Sequence, residues 1–195
     1  RSSARRPRYA APWPCTGRPF ATRRRQLGEN HPDVVESLFR LAETLVFFTQ
    51  DAEGGAQASS DALEAATKLY GEQHTVVADV LNVVSRSYAQ RGDWRRSEAA
   101  LRRSIEVLTA LLDLQHPELL NRRVNLAVVL IELGQLEEAE TLLEQVLLDA
   151  PGRVPPDHLY VQAALTHLSR CQLLKGRFAD AAATAERALA MMDAP

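Results

Sequence analysis

The chain has 195 residues, of which 46 % are hydrophobic and 6 % aromatic, and its formal net charge is −2. That is enough apolar material for one compact domain or a short repeat array, and its Ala and Leu content favours helix over strand. The charge is uneven: residues 1–28 hold eight arginines and no acid, so the rest carries fifteen basic against twenty-five acidic residues, a balance of about −10. Nucleic-acid phosphates are repelled by such a surface, so no nucleic-acid partner is expected.

Cys15 and Cys171 stand alone and no CxxC pair occurs. They suggest neither a disulfide framework nor a zinc site, and a reducing, cytoplasmic setting is the expectation. No apolar run approaches the ~18 residues that span a bilayer. The first residue is Arg, and the start lacks the apolar core of a signal peptide, so the chain reads as an excised or partial one with no membrane partner.

Residues 1–26 show no apolar period and hold four prolines and a run of three arginines. They read as an irregular basic leader, with a nucleic-acid arm or targeting signal as the alternative. A third reading concerns the coding frame. Read two nucleotides out of phase, the codons that Pro12 to Phe20 permit allow Leu-Ala-Leu-Tyr-Arg-Ala-Ala-Leu, which looks like the second helix of one more repeat. A frameshift upstream of Gln26 would explain why a regular phase begins abruptly at Leu27.

From Leu27 a motif recurs as LGENHPDV, YGEQHTVV, LDLQHPEL and VPPDHLYV. Its histidines, His31, His74, His116 and His158, are 43, 42 and 42 residues apart. A period of that length signals a solenoid. Gly92, Gly134 and Gly176 each fall eighteen residues after their histidine. Bulky Trp94, Leu136 and Phe178 follow two residues later, and small Ser97, Ala139 and Ala181 three further on, where two helices would cross closely. The spacing predicts eight helices, at about 32–49, 56–70, 75–91, 94–112, 117–133, 136–149, 158–175 and 178–192. In the first unit Gln50 stands at the glycine position, and Gly54-Gly55 is expected to loosen the start of the second helix. Pro32 and Pro117 suit a first helical turn, where the missing N–H costs nothing.

With these residues in view, the chain resembles the tetratricopeptide repeat (TPR) superfamily, in the 42-residue form of kinesin light chains. LGENHPDVVESLFRLAETL, VLNVVSRSYAQRGDW and VNLAVVLIELGQLEEAE match that pattern in pieces. The resemblance covers residues 27–195. It implies an all-α fold, an α-solenoid of antiparallel helix hairpins wound as a right-handed TPR superhelix, with repeats at about 31–73, 74–115, 116–157 and 158–195. It also implies a scaffold or adaptor that binds a partner peptide or domain in its concave groove. The alternative is the regulatory arm of a larger bacterial signalling enzyme, such as a Ser/Thr kinase or a nucleotide-binding switch protein. The family's paired Asn survives singly, as Asn82 and Asn125, where it would hold the backbone of a bound peptide.

First helices line the groove of such arrays. The polar residues off the core stripe there are Glu43 in the first unit, Asn82, Arg86 and Gln90 in the second, Asn125 and Glu132 in the third, and Arg170 in the fourth. Arg86 and Arg170 occupy equivalent positions, and a guanidinium suits a partner's carboxylate. Stacked hairpins put equivalent histidines about 8–10 Å apart, too far to share a zinc ion. The histidines therefore read as helix-entry residues, with no metal and no cofactor expected. The run Glu137, Glu138, Glu140 and Glu144 reads as a solvated face. No nucleophile arrangement and no phosphate loop is found, so no catalytic residue is expected. Helix 178–192 carries Phe178, Ala181, Ala185, Leu189 and Met192 on one side, and no polar capping helix follows. Further repeats, or self-association, are expected to cover that side.

Overall fold

A computed structural model of the protein describes residues 17–28, 31–49, 51–112 and 116–192, without the side chains of 17–21 and 192. All regular structure among them is helical: α1 (Gly17–Leu27), α2 (Pro32–Phe48), α3 (Ala52–Tyr70), α4 (Thr75–Gln90), α5 (Trp94–Leu111), α6 (Pro117–Glu132), α7 (Leu136–Asp149), α8 (Leu159–Leu174) and α9 (Phe178–Met192). Helices α2 to α9 form four hairpins, each packed on the next, and together they build an α-solenoid.

Each hairpin opens in the same way. His31, His74, His116 and His158 are N-caps, and each Nδ1 accepts a hydrogen bond from the backbone N–H two residues on, at 3.2–3.3 Å. One of the helix's four orphan donors is thereby satisfied. Only an unprotonated Nδ1 can accept, so the motif fixes the imidazole tautomer. This is the helix-entry role that the repeat spacing predicts.

The turn inside each of the last three hairpins is equally regular. Gly134 adopts φ +74°, its N–H reaches the Ile131 carbonyl, and Gln135 N–H reaches Leu130 O at 2.8 Å. This pair of bonds is a Schellman closure, which needs a left-handed residue. Gly92 and Gly176 repeat it at φ +74° and +76°. Just beyond, the paired helices cross at small residues. In the second hairpin Ser85 and Ser97 share a hydrogen bond of 2.9 Å, in the third Ala127 and Ala139 are both wholly buried in one cluster, and in the fourth Ser169 donates to Ala181 O at 2.7 Å. Ser97 and Ala139 are wholly buried.

Three expectations are corrected. The segment read as irregular up to residue 26 contains helix α1, which packs on α2 and ends at Leu27-Gly28 as α3 ends at Tyr70-Gly71. It stands where a preceding hairpin's second helix would, and Arg23 donates to Ser37 Oγ of α2 at 2.6 Å. The leader residues 1–16, with Cys15 and most of the out-of-phase stretch, and Gln50 lie outside the described residues. Second, α3 starts at Ala52, not near 56. Asp51 caps it by accepting from Gly54 N–H at 2.8 Å, and a Cβ on Gly55 would meet Val46 Cγ2 at 3.1 Å. Gly55 is therefore the small crossing residue of the first hairpin, shifted because α2 is one residue longer than α4, α6 and α8. Third, burial divides the side of α9 that carries these apolar residues. Ala181 and Thr184 are buried against α8, whereas Phe178 and Leu189 are exposed.

The core follows the stack. One cluster runs from Val34 on α2 to Ala100 on α5, and a second from Leu101 on α5 to Cys171 on α8. Ala78, Val107, Leu108 and Leu119 of α4, α5 and α6 form a third, smaller cluster. Fully buried leucines such as Leu101, Leu130 and Leu143 each contribute about 1.5–3 kcal/mol relative to exposure. Cys171 sits inside the second cluster and donates its S–H to Leu136 O at 3.2 Å; burial, above all, raises its thiol above the ordinary cysteine value.

Candidate functional site

Helices α2, α4, α6 and α8 run side by side, and their outward polar residues meet across hairpins. The one-repeat step brings residues 38–43 positions apart into hydrogen-bond range. Asn125 donates to Asn82 Oδ1 at 2.9 Å and to Asn121 Oδ1 at 3.2 Å. Arg170 pairs with Glu132 at 2.7 Å. Gln90 donates its amide to Val46 O and so closes the end of α2. Glu43 holds Arg40 at 2.8 Å, and Arg40 also binds Glu36 at 2.8 Å. Arg86 is exposed and lies over the Phe47 ring, 5.5 Å from its centroid. Among the described residues it has no carboxylate partner.

The predicted groove residues thus fall into two pairs, Asn82 with Asn125 and Glu132 with Arg170, plus three that find different neighbours. Sequence reasoning missed the centre of this face. Arg122 is only 4 % exposed and pairs with Asp79 at 2.6 Å and Glu118 at 3.3 Å. It stands six residues after His116, where the second unit has Val80, so a charged residue on a core position was the available signal. Burial raises the Asp79 carboxyl, Arg122 draws it back, and Glu118 and Glu43 push it up again. On α8, burial and then Arg170 lower the His167 imidazole, whose Nδ1 is buried with no hydrogen-bond partner. Tyr160 hydrogen-bonds Asn121, yet burial keeps its phenol above the ordinary value.

The opposite surface corrects one further expectation. Glu140 is buried and held by Lys175 at 2.6 Å and by Arg177, both from the following hairpin. Glu138 accepts two bonds from Arg102, at 2.8 and 2.9 Å. The acidic run is therefore partly a set of inter-hairpin clamps, with Glu144 left exposed. Among the described residues no group of three or more His, Cys, Asp or Glu side chains could hold a metal ion. None of their helices is long and apolar enough to cross a membrane.

A sequence profile of the tetratricopeptide repeat matches residues 86–148 and again 116–194, more than half of the chain. The chain belongs to the tetratricopeptide repeat family. No curated protein matches it in sequence. Several solved structures share its fold. A kinesin light chain of Podosopora anserina with nearly identical TPR-like repeats superposes with a TM-score of 0.75 at 21 % identity, over 88 % of this chain and 81 % of its own. BtubC (BKLC) from P. vanneervenii gives 0.76 at 19 % identity, over 88 % and 68 %. The apo form of RapI gives 0.75 at 14 % identity, over 89 % and 62 %. TPR arrays are protein-interaction modules, in general without catalysis.

Proposed function

We propose that this TPR array is a scaffold that binds an extended or helical partner peptide along the face of α2, α4, α6 and α8. The observation that carries the reading is Arg86. Arg40, Arg122 and Arg170 are each neutralised by a carboxylate, whereas Arg86 rests on an aromatic ring beside Gln90 and stays available. A guanidinium over a ring keeps N–H groups for a bidentate carboxylate. Arg170 is the second cation, since its exposed pair with Glu132 is worth at most about 1 kcal/mol and a ligand carboxylate can replace Glu132. Between the two, Asn82 and Asn125 offer amide groups to a peptide backbone once their mutual bond opens. No chemistry is performed on the ligand, and affinity is modest.

The test is a pull-down with the full-length protein, followed by titration of the captured partner. Arg86→Ala and the Asn82→Ala/Asn125→Ala double variant should each weaken binding about tenfold, as loss of one charge-assisted or two neutral hydrogen bonds implies. Unchanged affinity in both variants, with the fold intact by circular dichroism, would reject this face as the binding surface.

A further inference from the structure

The middle of the stack is joined differently from its two outer seams. Helix α2 packs on α4 and α6 packs on α8, whereas α4 and α6 approach less closely. The core divides at the same place. Helix α5 belongs to both parts, with Ala100 in the first cluster and Leu101 in the second. Among the described residues, the one buried cluster that holds side chains of both α4 and α6 is the small third one, and it lies at their first turns, at Ala78 and Leu119. On the outer side the joint is held by α5, which packs on α6, and by Arg102, which donates twice to Glu138 of α7.

Along the groove, two polar links tie α4 to α6: Arg122 to Asp79 at 2.6 Å and Asn125 to Asn82 at 2.9 Å. The wider approach has a residue to match it. Six positions after the histidine, the other units carry Ser37, Val80 and Ala164, where the third carries Arg122. A buried guanidinium takes more room than any of these and must find polar partners, so an apolar contact cannot close this seam. Its Nε is buried with no acceptor. Farther toward the helix C-termini, among the described residues, no hydrogen bond or ion pair joins α4 to α6. The polar groups of α4 turn back to α2, Gln90 to Val46 O and Arg86 over the Phe47 ring, while Glu132 of α6 turns on to Arg170 of α8. The seam is therefore packed at its base, linked half-way and unbridged at its mouth.

A joint with packed apolar surface on one side and two polar links on the other opens toward the links. Opening admits water to Arg122, Asp79 and both amides, so none of them is left buried without a partner. We propose that the middle seam is a hinge: the first two hairpins and the last two swing as two bodies about α5, and the Asp79–Arg122 and Asn82–Asn125 links hold it shut. Helices α4 and α6 have 16 residues each. Such helices are about 24 Å long, so a swing of about 10° parts their tips by about 4 Å. A partner that takes the two amides breaks one link and widens the groove on which it lies. That step rests on the groove reading above, whereas the hinge itself does not.

Distances between paired spin labels on the ligand-free chain measure the swing. Phe48→Cys with Leu174→Cys spans the seam, from the end of α2 to the end of α8, and both sites are exposed. Phe48→Cys with Arg91→Cys reports on the first two hairpins alone, and Gln145→Cys with Leu174→Cys on the last two. All three carry Cys15→Ser and Cys171→Ala, so that only the chosen sites take a label. In this parent each pair should give one narrow distribution. Arg122→Met with Asn125→Ala removes both links and strands no buried charge, because Asp79 and Glu118 are 40 % and 42 % exposed. It should lengthen the spanning distance by about 4 Å and broaden it, with the two inner pairs unchanged. Asn125→Ala alone should broaden the spanning distance in the same sense, and decides the matter if the double variant unfolds. A spanning distance unchanged by these variants overturns the inference, and so do inner pairs that loosen as much as the spanning one. No partner is present in the experiment, so a rigid seam leaves the Arg86 test of the groove untouched, and a groove that binds nothing leaves the hinge standing.

Discussion

Four imidazoles perform one task in this chain, that of an N-cap acceptor, and substitution can measure it. His116→Ala leaves Glu118 N–H without its acceptor and should lower stability by about 0.5–2 kcal/mol, while His116→Asp should retain most of it. Urea melts of the two variants against the parent check this. His167 behaves differently. Its pKa is lowered by burial and then by Arg170, so the folded state resists the proton that the unfolded chain accepts. The unfolded state then binds more protons, and stability rises with pH. Stability should be fully present above the ordinary histidine value of about 6.5 and fall as pH drops below it toward the folded value. Melting temperature against pH tests this: His167→Gln should flatten the loss between about pH 6.5 and 5 relative to the parent.

At the scale of the helices, the hairpins depend on two kinds of glycine. Gly134 supplies a left-handed backbone, with open space around its would-be Cβ, so Gly134→Ala should cost about 1–2 kcal/mol through strain alone. Gly55 has ordinary helical backbone but abuts Val46, so a larger side chain there must push α3 off α2. Gly55→Val should cost about 1–3 kcal/mol through overpacking. Asn discriminates the two: Gly134→Asn should recover part of the loss, because Asn tolerates the left-handed region, whereas Gly55→Asn should not. Thermal melts of the four variants decide it. Period alone explains why Gly134 was legible and Gly55 was not. The extra residue in α2 shifts Gly55 out of phase, and in a sequence it reads only as a helix weakener.

For the whole molecule, the division of the core between Ala100 and Leu101 matters most. The second and third hairpins meet at a third cluster of Ala78, Val107, Leu108 and Leu119 and through the Asp79–Arg122 pair and the Asn82–Asn125 bond. Stacked repeats behave as units coupled through nearest-neighbour interfaces. Leu119→Ala should therefore do more than cost about 2–5 kcal/mol of cavity energy. It should uncouple the first two hairpins from the last two, seen as a shallower urea transition with a lower m-value and as hydrogen exchange that differs between the halves. A variant that loses stability with an unchanged m-value would show that the four hairpins still unfold as one.

What the sequence determined by itself is what repeats locally: the hairpin period, the capping histidines, the glycine turns and the small crossing residues. Each depends on a few neighbouring positions and basic backbone geometry, so each is written in four imperfect copies of one motif. The tertiary structure alone decided which polar groups meet. Glu132 with Arg170, Asn82 with Asn125, Asp79 with Arg122 and Glu140 with Lys175 all join residues about one repeat apart. An aligned repeat says that two positions are equivalent, but the rotation and rise between hairpins set the distance between their side chains. The same holds for α1, whose eleven residues are held as a helix beside α2.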